Sequence, residues 1–494
     1  MHFSIPDTQE CKDEHGSTYR VYNVHVNGVF HCSVRYSQLH DFNEQIKKEF
    51  NNSFTGCHKF PPKKLLSLTP AQTEERKEKL EKYIQLVSQD PRIANSDIFN
   101  GFLLTSQKET RREEPIDVEL DVYMMNGSRV KVNIKSTDQT DDVLEKVTSE
   151  VGLPDQFTYY FGLFLVVKDK DEEAGTIVRR IQDFESPYIS LKAAIGTHKI
   201  VLRKNYWDPA FDNDLLEDRV AMQLLYVQTL SDVSRGWVLA SQDQLSRLQA
   251  LKAKNSKKEY IKFAQTLKYY GTLQFKQCVV NYPEPETKTT INAGNKELYF
   301  RVELPDGSHK EGVFRITRMR CWRITNSADR EANKGSGPEP IVVNKGKSQP
   351  PAQLELSFEY LVSKNKLQWV TIRSDQAILI SLCLQSMVDE LLLQKKGGHI
   401  KRPQDRVKGP TRQFKGRDGQ VITSVSTSSP VVRPELPNGA SSPTEEGPSK
   451  SAKAIDSVKK ISDKLHNAAA SNKSPGASAT VENEIFEGIG EDDL

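Results

Sequence analysis

Val118-Glu119-Leu120-Asp121-Val122, then Asn126-Gly127, then Val130-Lys131-Val132-Asn133-Ile134 is the stretch on which the reading of this chain turns. On both sides of Asn-Gly the apolar residues occupy every second position, so each flank presents one face to a core and the other to water. Asn-Gly between two such runs is a hairpin signal, because both residues accept the positive φ of a tight turn. Just downstream, Thr137-Asp138 is expected to cap a helix carrying Val143, Leu144, Val147 and Val151, and an apolar strand follows at Phe161, Leu163 and Leu165.

Hairpin, helix, strand is the order of a ubiquitin-like unit, assigned to residues 115–206 after the acidic connector Glu113-Glu114-Pro115. Upstream, residues 1–110 open with alternation around Val21 to Val26 and a second Asn27-Gly28 turn. Helical spacing follows at Leu39, Phe42, Ile46 and at Leu80, Tyr83, Ile84, Val87, on either side of a Pro-rich loop. This predicts a small α+β unit. Downstream, residues 207–271 read as a helical bundle, with Leu215, Val220, Leu224, Val227 and then Leu245, Leu248, Leu251, Ile261, Leu267. Residues 272–395 carry expected strands at 275–281, 298–304, 313–325, 354–361 and 367–373, a long loop over 327–351, and an apolar helix from about Asp375 to Lys396. Strands closed by one helix suggest a pleckstrin-homology-like sandwich. Residues 396–494 are read as a mostly disordered tail, with one short helix around Ile455 to Leu465.

Composition narrows the function. The chain has 494 residues, too many for one small module. Its net charge of +3 gives no polycation for a nucleic-acid backbone, so no nucleic-acid partner is expected. Hydrophobic residues are 36%, and the 27 glycines do not lift this to the roughly 45–50% of an ordinary globular chain. The start lacks a secretory signal, no run of about 18 apolar residues is seen, and the six dispersed cysteines form no C-x-x-C. A soluble cytosolic protein with reduced thiols is expected. Gly346-Lys347-Ser348 ends like a P-loop, but Ile341 stands where the cradle needs glycine. Without catalytic or metal-ligand spacings, neither an enzyme nor a cofactor is expected.

Two constellations carry chemistry instead. In the N-terminal unit, Arg35-Tyr36-Ser37, Pro61-Pro62-Lys63 and Arg76 offer cationic forks, a hydroxyl and an aromatic face, which suit a phosphorylated ring; the plain alternative is an ordinary basic surface. In the sandwich, strand period puts Arg318, Arg320 and Trp322 on one face, which makes Trp322 a peptide platform unless the following loop covers it. Val388 and Leu392 form an i, i+4 stripe on the closing helix that could floor a groove. The basic run from Lys395 to Arg412 reads as a solvated linker, with a weak membrane or targeting role as the alternative.

The R-Y-S, P-P-K and downstream Arg combination resembles a PX domain. The ubiquitin-like, helical and sandwich order over 115–393 resembles the three lobes of a FERM module (F1, F2 and a PTB-like F3). Together they are similar to the PX–FERM sorting nexins, endosomal cargo adaptors. The resemblance implies that Arg35 holds the 3-phosphate of phosphatidylinositol 3-phosphate and Tyr36 stacks on the inositol. Ser37 would add a donor, Lys63 would approach the 1-phosphate and Arg76 the ring hydroxyls. Leu65, Leu66 and Leu68 would insert in the headgroup layer, with core packing as the alternative. It further implies N-P-x-Y or N-x-x-Y receptor tails bound by F3 as an added strand, through Arg320, Trp322, Val388 and Leu392. The acidic end would engage the Retriever recycling complex through Ile489, Gly490, Asp493 and Leu494, with a PDZ ligand as the rival reading. The implied location is cytoplasm and the early endosome membrane. A small-GTPase effector acting through FERM is the competing function class.

One expectation goes past the resemblance. Asn483-Glu484-Ile485-Phe486 is itself an N-x-x-F sequence, so the tail is expected to fold back on F3 and compete with cargo, with Phe486 in the aromatic pocket; the alternative is that Phe486 belongs to the Retriever epitope.

Overall fold

In the computed structural model, Asn27 and Gly28 take φ of 53° and 80°, and the chain reverses there between two long strands as the sequence requires. The structure describes residues 1–13, 15–50, 59–64, 67–167, 175–304, 307–326, 354–363, 366–424, 427–428, 480–483 and 485–486. The N-terminal unit consists of strands β1 (Phe3–Ser4), β2 (Thr8–Lys12), β3 (Thr18–Val26) and β4 (Val29–Arg35), then helices α1 (Tyr36–Phe50), α2 (Pro70–Val87), α3 (Pro91–Ala94) and α4 (Asp97–Arg111). All four strands are antiparallel around β3. Leu39, Phe42 and Ile46 of α1 and Leu80, Tyr83, Ile84 and Val87 of α2 are buried together beneath this sheet, as their spacing predicts.

The second unit is a five-stranded sheet in the order β6-β5-β9-β7-β8: β5 (Asp117–Tyr123), β6 (Arg129–Lys135), β7 (Phe161–Val167), β8 (Thr176–Arg180) and β9 (His198–Lys204). It also carries α5 (Thr140–Glu150) and α6 (Pro187–Ala193). The cap of α5 is Gln139, two residues beyond the expected Thr137; Asp138 instead accepts from the Lys135 backbone amide and fixes the preceding turn. Helices α7 (Asp212–Leu215), α8 (Arg219–Ser234), α9 (Gln242–Ala253) and α10 (Lys257–Gln265) form the third unit, which shares one apolar core with the second.

The fourth unit holds β10 (Leu273–Gln274), β11 (Cys278–Val280), β12 (Thr287–Gly294), β13 (Glu297–Glu303), β14 (His309–Arg315), β15 (Met319–Asn326), β16 (Leu354–Ser363) and β17 (Lys366–Arg373), closed by α11 (Ala377–Lys395). The single strand expected over 313–325 is two, β14 and β15, separated by a 3-10 turn at Ile316–Arg318. Strand β12 was not expected, because polar Thr and Lys residues hide its alternation. Helix α11 is apolar enough by composition to cross a membrane. Its Leu379, Ile380, Cys383, Leu384, Met387 and Val388 are buried in the core of this lobe, which accounts for that composition.

The chain does not become a solvated linker after Lys396. Two short strands, β18 (Val407–Lys408) and β21 (Thr427–Ser428), pair with each other, and β19 (Arg412–Lys415) and β20 (Val421–Ser424) form a hairpin. Lys401 and Arg406 ion-pair with Asp141, and Arg406 also reaches Asp142 and Glu145, all of the second unit. Arg412 pairs with Asp97 and Glu49 of the first. The acidic partners of this basic run lie some 260 to 360 residues away in the chain, so no local pattern marks the pairing. The short helix expected around Ile455 and the loop over 327–351 lie outside the described residues.

The first unit is fixed to the others. Gln107 of α4 accepts from the Ser186 amide and donates to Ser190, each at 2.9 Å. Ser190 in turn donates to Glu185, which is fully buried against Arg179. A Cβ on Gly28 would lie 3.0 Å from the Cδ1 of Ile378 in α11, so the tip of the first hairpin lies close against the closing helix. His31 is buried at this junction, its Nε2 3.1 Å from the Leu103 carbonyl and its ring edge-on to Phe184. Burial lowers its pKa from 6.5, outweighing the opposing pull of Glu185 and the Leu103 carbonyl, while Arg179 adds to the lowering. The unfolded chain therefore takes up a proton near pH 6.5 that the folded one refuses, and stability falls as pH drops below that value. Melting wild type and His31→Gln side by side from pH 7.5 to 5 should show the wild type losing more; parallel curves would remove His31 from the acid response.

Candidate functional site

Arg35 ends β4 and Tyr36-Ser37 begin α1, so the strand-to-helix junction places them at one edge of the first unit. The Arg76 guanidinium from α2 lies 4.4 Å over the Tyr36 ring and donates to the Pro62 carbonyl at 3.4 Å. The Tyr36 hydroxyl donates to the Pro61 carbonyl at 2.8 Å. Tyr36, Arg76 and the Pro-Pro loop thus converge as the sequence suggests. Burial raises the Tyr36 pKa, with Arg76 opposing, so the phenol remains a donor. Lys63 and Arg35 depart from this cluster: Lys63 is exposed, and the Arg35 guanidinium stacks 3.8 Å from the Tyr19 ring and donates to the Arg417 carbonyl at 2.6 Å. Ser37 and Leu68 are half-buried, while Leu65 and Leu66 lie outside the described residues.

The second candidate is the edge of the fourth unit's sheet, whose order runs β14-β13-β12-β11-β17-β16-β15, with β10 paired to β12 off this path, and which then adds β22 (Val481–Glu482) beside β15. β22 is antiparallel to β15, with Val481 opposite Trp322 and Glu482 opposite Cys321. Beyond it, Asn483 is 3% exposed and its amide donates to the carbonyls of Ile316 and Met319 at 2.8 and 2.6 Å. Its side-chain oxygen accepts from the Ile485 amide at 3.1 Å, and its backbone carbonyl accepts from Phe486 at 3.0 Å. This is a β-turn opened by an Asn that also makes the Asx contact two residues on. Ile485 is buried in the same apolar cluster as Val388, and Leu392 packs at its margin. The anchors are therefore Asn483 and Ile485; Phe486, expected to lead, is only half-buried.

Trp322 is a correction. It is not an exposed ring among arginines: its side chain is 1% exposed in the lobe's core and its indole donates to Ser381 of α11 at 3.0 Å. Met319 pairs with Tyr360 but Cys321 pairs with Glu359, so the strand contains a bulge at Arg320. One extra residue inverts every later side chain, which turns Trp322 and Ile324 inward. Arg320 stays near the surface, paired with Glu359. Trp322 meets the added strand through its backbone. Sequence reasoning missed Tyr19, Ile485 and the Arg417 carbonyl; an Asp418-Gly419 turn signal between two short alternating runs was available for the last. Ile489, Gly490, Asp493 and Leu494 lie outside the described residues. Among the described residues no cluster suited to hold a metal ion occurs.

Comparison with known proteins identifies the domains that carry these residues. The chain matches the PX domain family over residues 22–106 and the F1 lobe of the sorting nexin 17/27/31 FERM domain over 118–207. It matches the sorting nexin 17/31 F2 lobe over 208–268 and the sorting nexin 17 FERM C-terminal domain over 271–392. It is 46% identical to sorting nexin-17 of Danio rerio over 497 residues and 45% identical to that of Homo sapiens over 496, covering 100% of both chains each time. To sorting nexin-31 of Homo sapiens it is 35% identical over 395 residues, 80% of this chain and 86% of the other. A PX domain joined to three FERM lobes defines an adaptor of endosomal protein sorting. Within that class the chain belongs to the sorting nexin-17 family.

Proposed function

We propose that this adaptor binds phosphatidylinositol 3-phosphate through Arg35, Tyr36, Ser37, Lys63 and Arg76, with Leu65, Leu66 and Leu68 entering the headgroup layer. On this reading it captures N-P-x-Y and N-x-x-Y receptor tails on the β15 edge between Arg320, the Trp322 backbone, Val388 and Leu392. It recruits Retriever for recycling to the cell surface through Ile489, Gly490, Asp493 and Leu494, from the cytoplasmic face of early endosomes. The observation that carries the cargo reading is the turn at Asn483, whose amide satisfies the carbonyls of Met319, the first residue of β15, and of Ile316 in the turn before it. A receptor Asn can make the same bonds, and Pro at the next position favours the same turn.

It follows that the chain's own tail is a cargo mimic that holds the groove until a receptor segment replaces it. A tethered ligand competes at an effective concentration approaching millimolar, so even a weak mimic is effective. Calorimetric titration of an N-P-x-Y peptide into full-length Asn483→Ala should show binding about tenfold tighter than wild type. Equal affinity would sink the competition. Deleting Leu494 should abolish Retriever capture in a pull-down while leaving peptide affinity unchanged.

A further inference from the structure

The lipid site of this chain is not open. The hairpin β19–β20 lies along the first unit: Phe414 is 2% exposed in that unit's core, its ring 6.4 Å from Phe102. Arg412 pairs with Asp97 and Glu49. The amides of Gln38 and Gln45 donate to the carbonyls of Lys415 and Gln413 at 3.2 and 2.9 Å. These anchors bring the turn at Gly416-Arg417-Asp418-Gly419 to Arg35, where the Arg417 carbonyl takes one guanidinium N–H. Arg417 is itself held, donating to the Ser33 carbonyl at 2.7 Å and Thr110 at 3.0 Å and, from its backbone, to Glu109.

We propose that the 412–424 hairpin is an internal competitor of the phosphoinositide headgroup, with the Arg417 carbonyl seated where the phosphate must bind. The inference rests on the lipid reading of Arg35. The Tyr19 ring covers one face of the guanidinium and the Arg417 carbonyl takes an Nη1 N–H at its edge, so a phosphate seated in the fork on that edge meets the turn. A phosphate makes the stronger, charge-assisted bond to arginine, while the carbonyl has the advantage of a tether fixed by Phe414 and Arg412. The headgroup therefore binds only to the fraction of molecules whose turn has lifted, and its apparent affinity is reduced by that fraction.

The test uses the full chain with phosphatidylcholine vesicles containing phosphatidylinositol 3-phosphate. Arg412→Glu, and separately a chain with residues 412–424 replaced by a Gly/Ser linker of equal length, should bind at least about threefold tighter than wild type. Equal or weaker binding by both overturns the competition while leaving the lipid site standing. If wild type and variants alike ignore these vesicles, the lipid reading fails and the competition with it. Hydrogen exchange over 412–424 in wild type should rise on adding soluble short-chain phosphatidylinositol 3-phosphate and stay unchanged in Arg35→Ala. Unchanged protection with lipid bound, or equal release by inorganic phosphate alone, would overturn the headgroup as the competing ligand.

Discussion

Trp322→Ala is expected to melt the third FERM lobe well below the rest of the chain, at a cost of about 3–5 kcal/mol for emptying a fully buried aromatic site. The indole is enclosed with Ile324, Phe358 and Met387, and its loss also strands the Ser381 hydroxyl that accepts its N–H. Peptide binding would vanish as well, but as a consequence of unfolding. Calorimetry of the full chain separates the causes: a new low-temperature transition is the expected result. An unchanged melt with peptide binding lost would return the ring to the surface and overturn its buried placement. Val388→Asp carries the same risk because Val388 is 2% exposed.

The second large effect is expected at the seam between the PX domain and F1. Glu185 is fully buried, and burial favours its neutral form, yet the charge and hydrogen bonds of Arg179 outweigh this and hold its pKa below 4.5. Glu185→Ala leaves Arg179 charged and uncompensated in the interior, a change that costs about 3–5 kcal/mol, whereas Arg179→Leu/Glu185→Leu removes both charges and should recover most of it. Thermal melts of the three proteins check the ordering. A double variant as unstable as Glu185→Ala would show that shape and not charge holds the seam.

Periodicity made much of the architecture legible. The Asn27-Gly28 hairpin, the α1, α2 and α5 core faces and the α11 closing helix were all readable because each repeats a local pattern longer than one turn or pleat. The strand and helix of the proposed peptide site are legible as elements, but the facing of Trp322 is not, because one bulged residue at Arg320 resets the count and no local signal marks it. The order after Lys396 was hidden for a different reason. Arg406 and Arg412 look like linker charges until the fold brings Asp142, Glu145 and Asp97 to them, and ion pairs between distant segments leave no periodic trace. Asn483 was legible as a motif, whereas its neighbour Ile485 supplied the apolar anchor that was assigned to Phe486.

The glycine contact between the Asn27-Gly28 tip and Ile378 has a consequence for reach. On the proposed reading of the two sites, the PX hairpin lies against the helix beside the peptide groove, so the offset between bilayer surface and receptor-binding edge is set by the fold and not by an adjustable tether. A receptor motif must then emerge from the bilayer on a stalk of sufficient length, and ten residues of extended chain span at most about 35 Å. Tails whose motif follows the membrane-spanning segment too closely would be left ungrasped however well their Asn and Tyr match, so that selection among receptors acts on spacer length as well as on sequence.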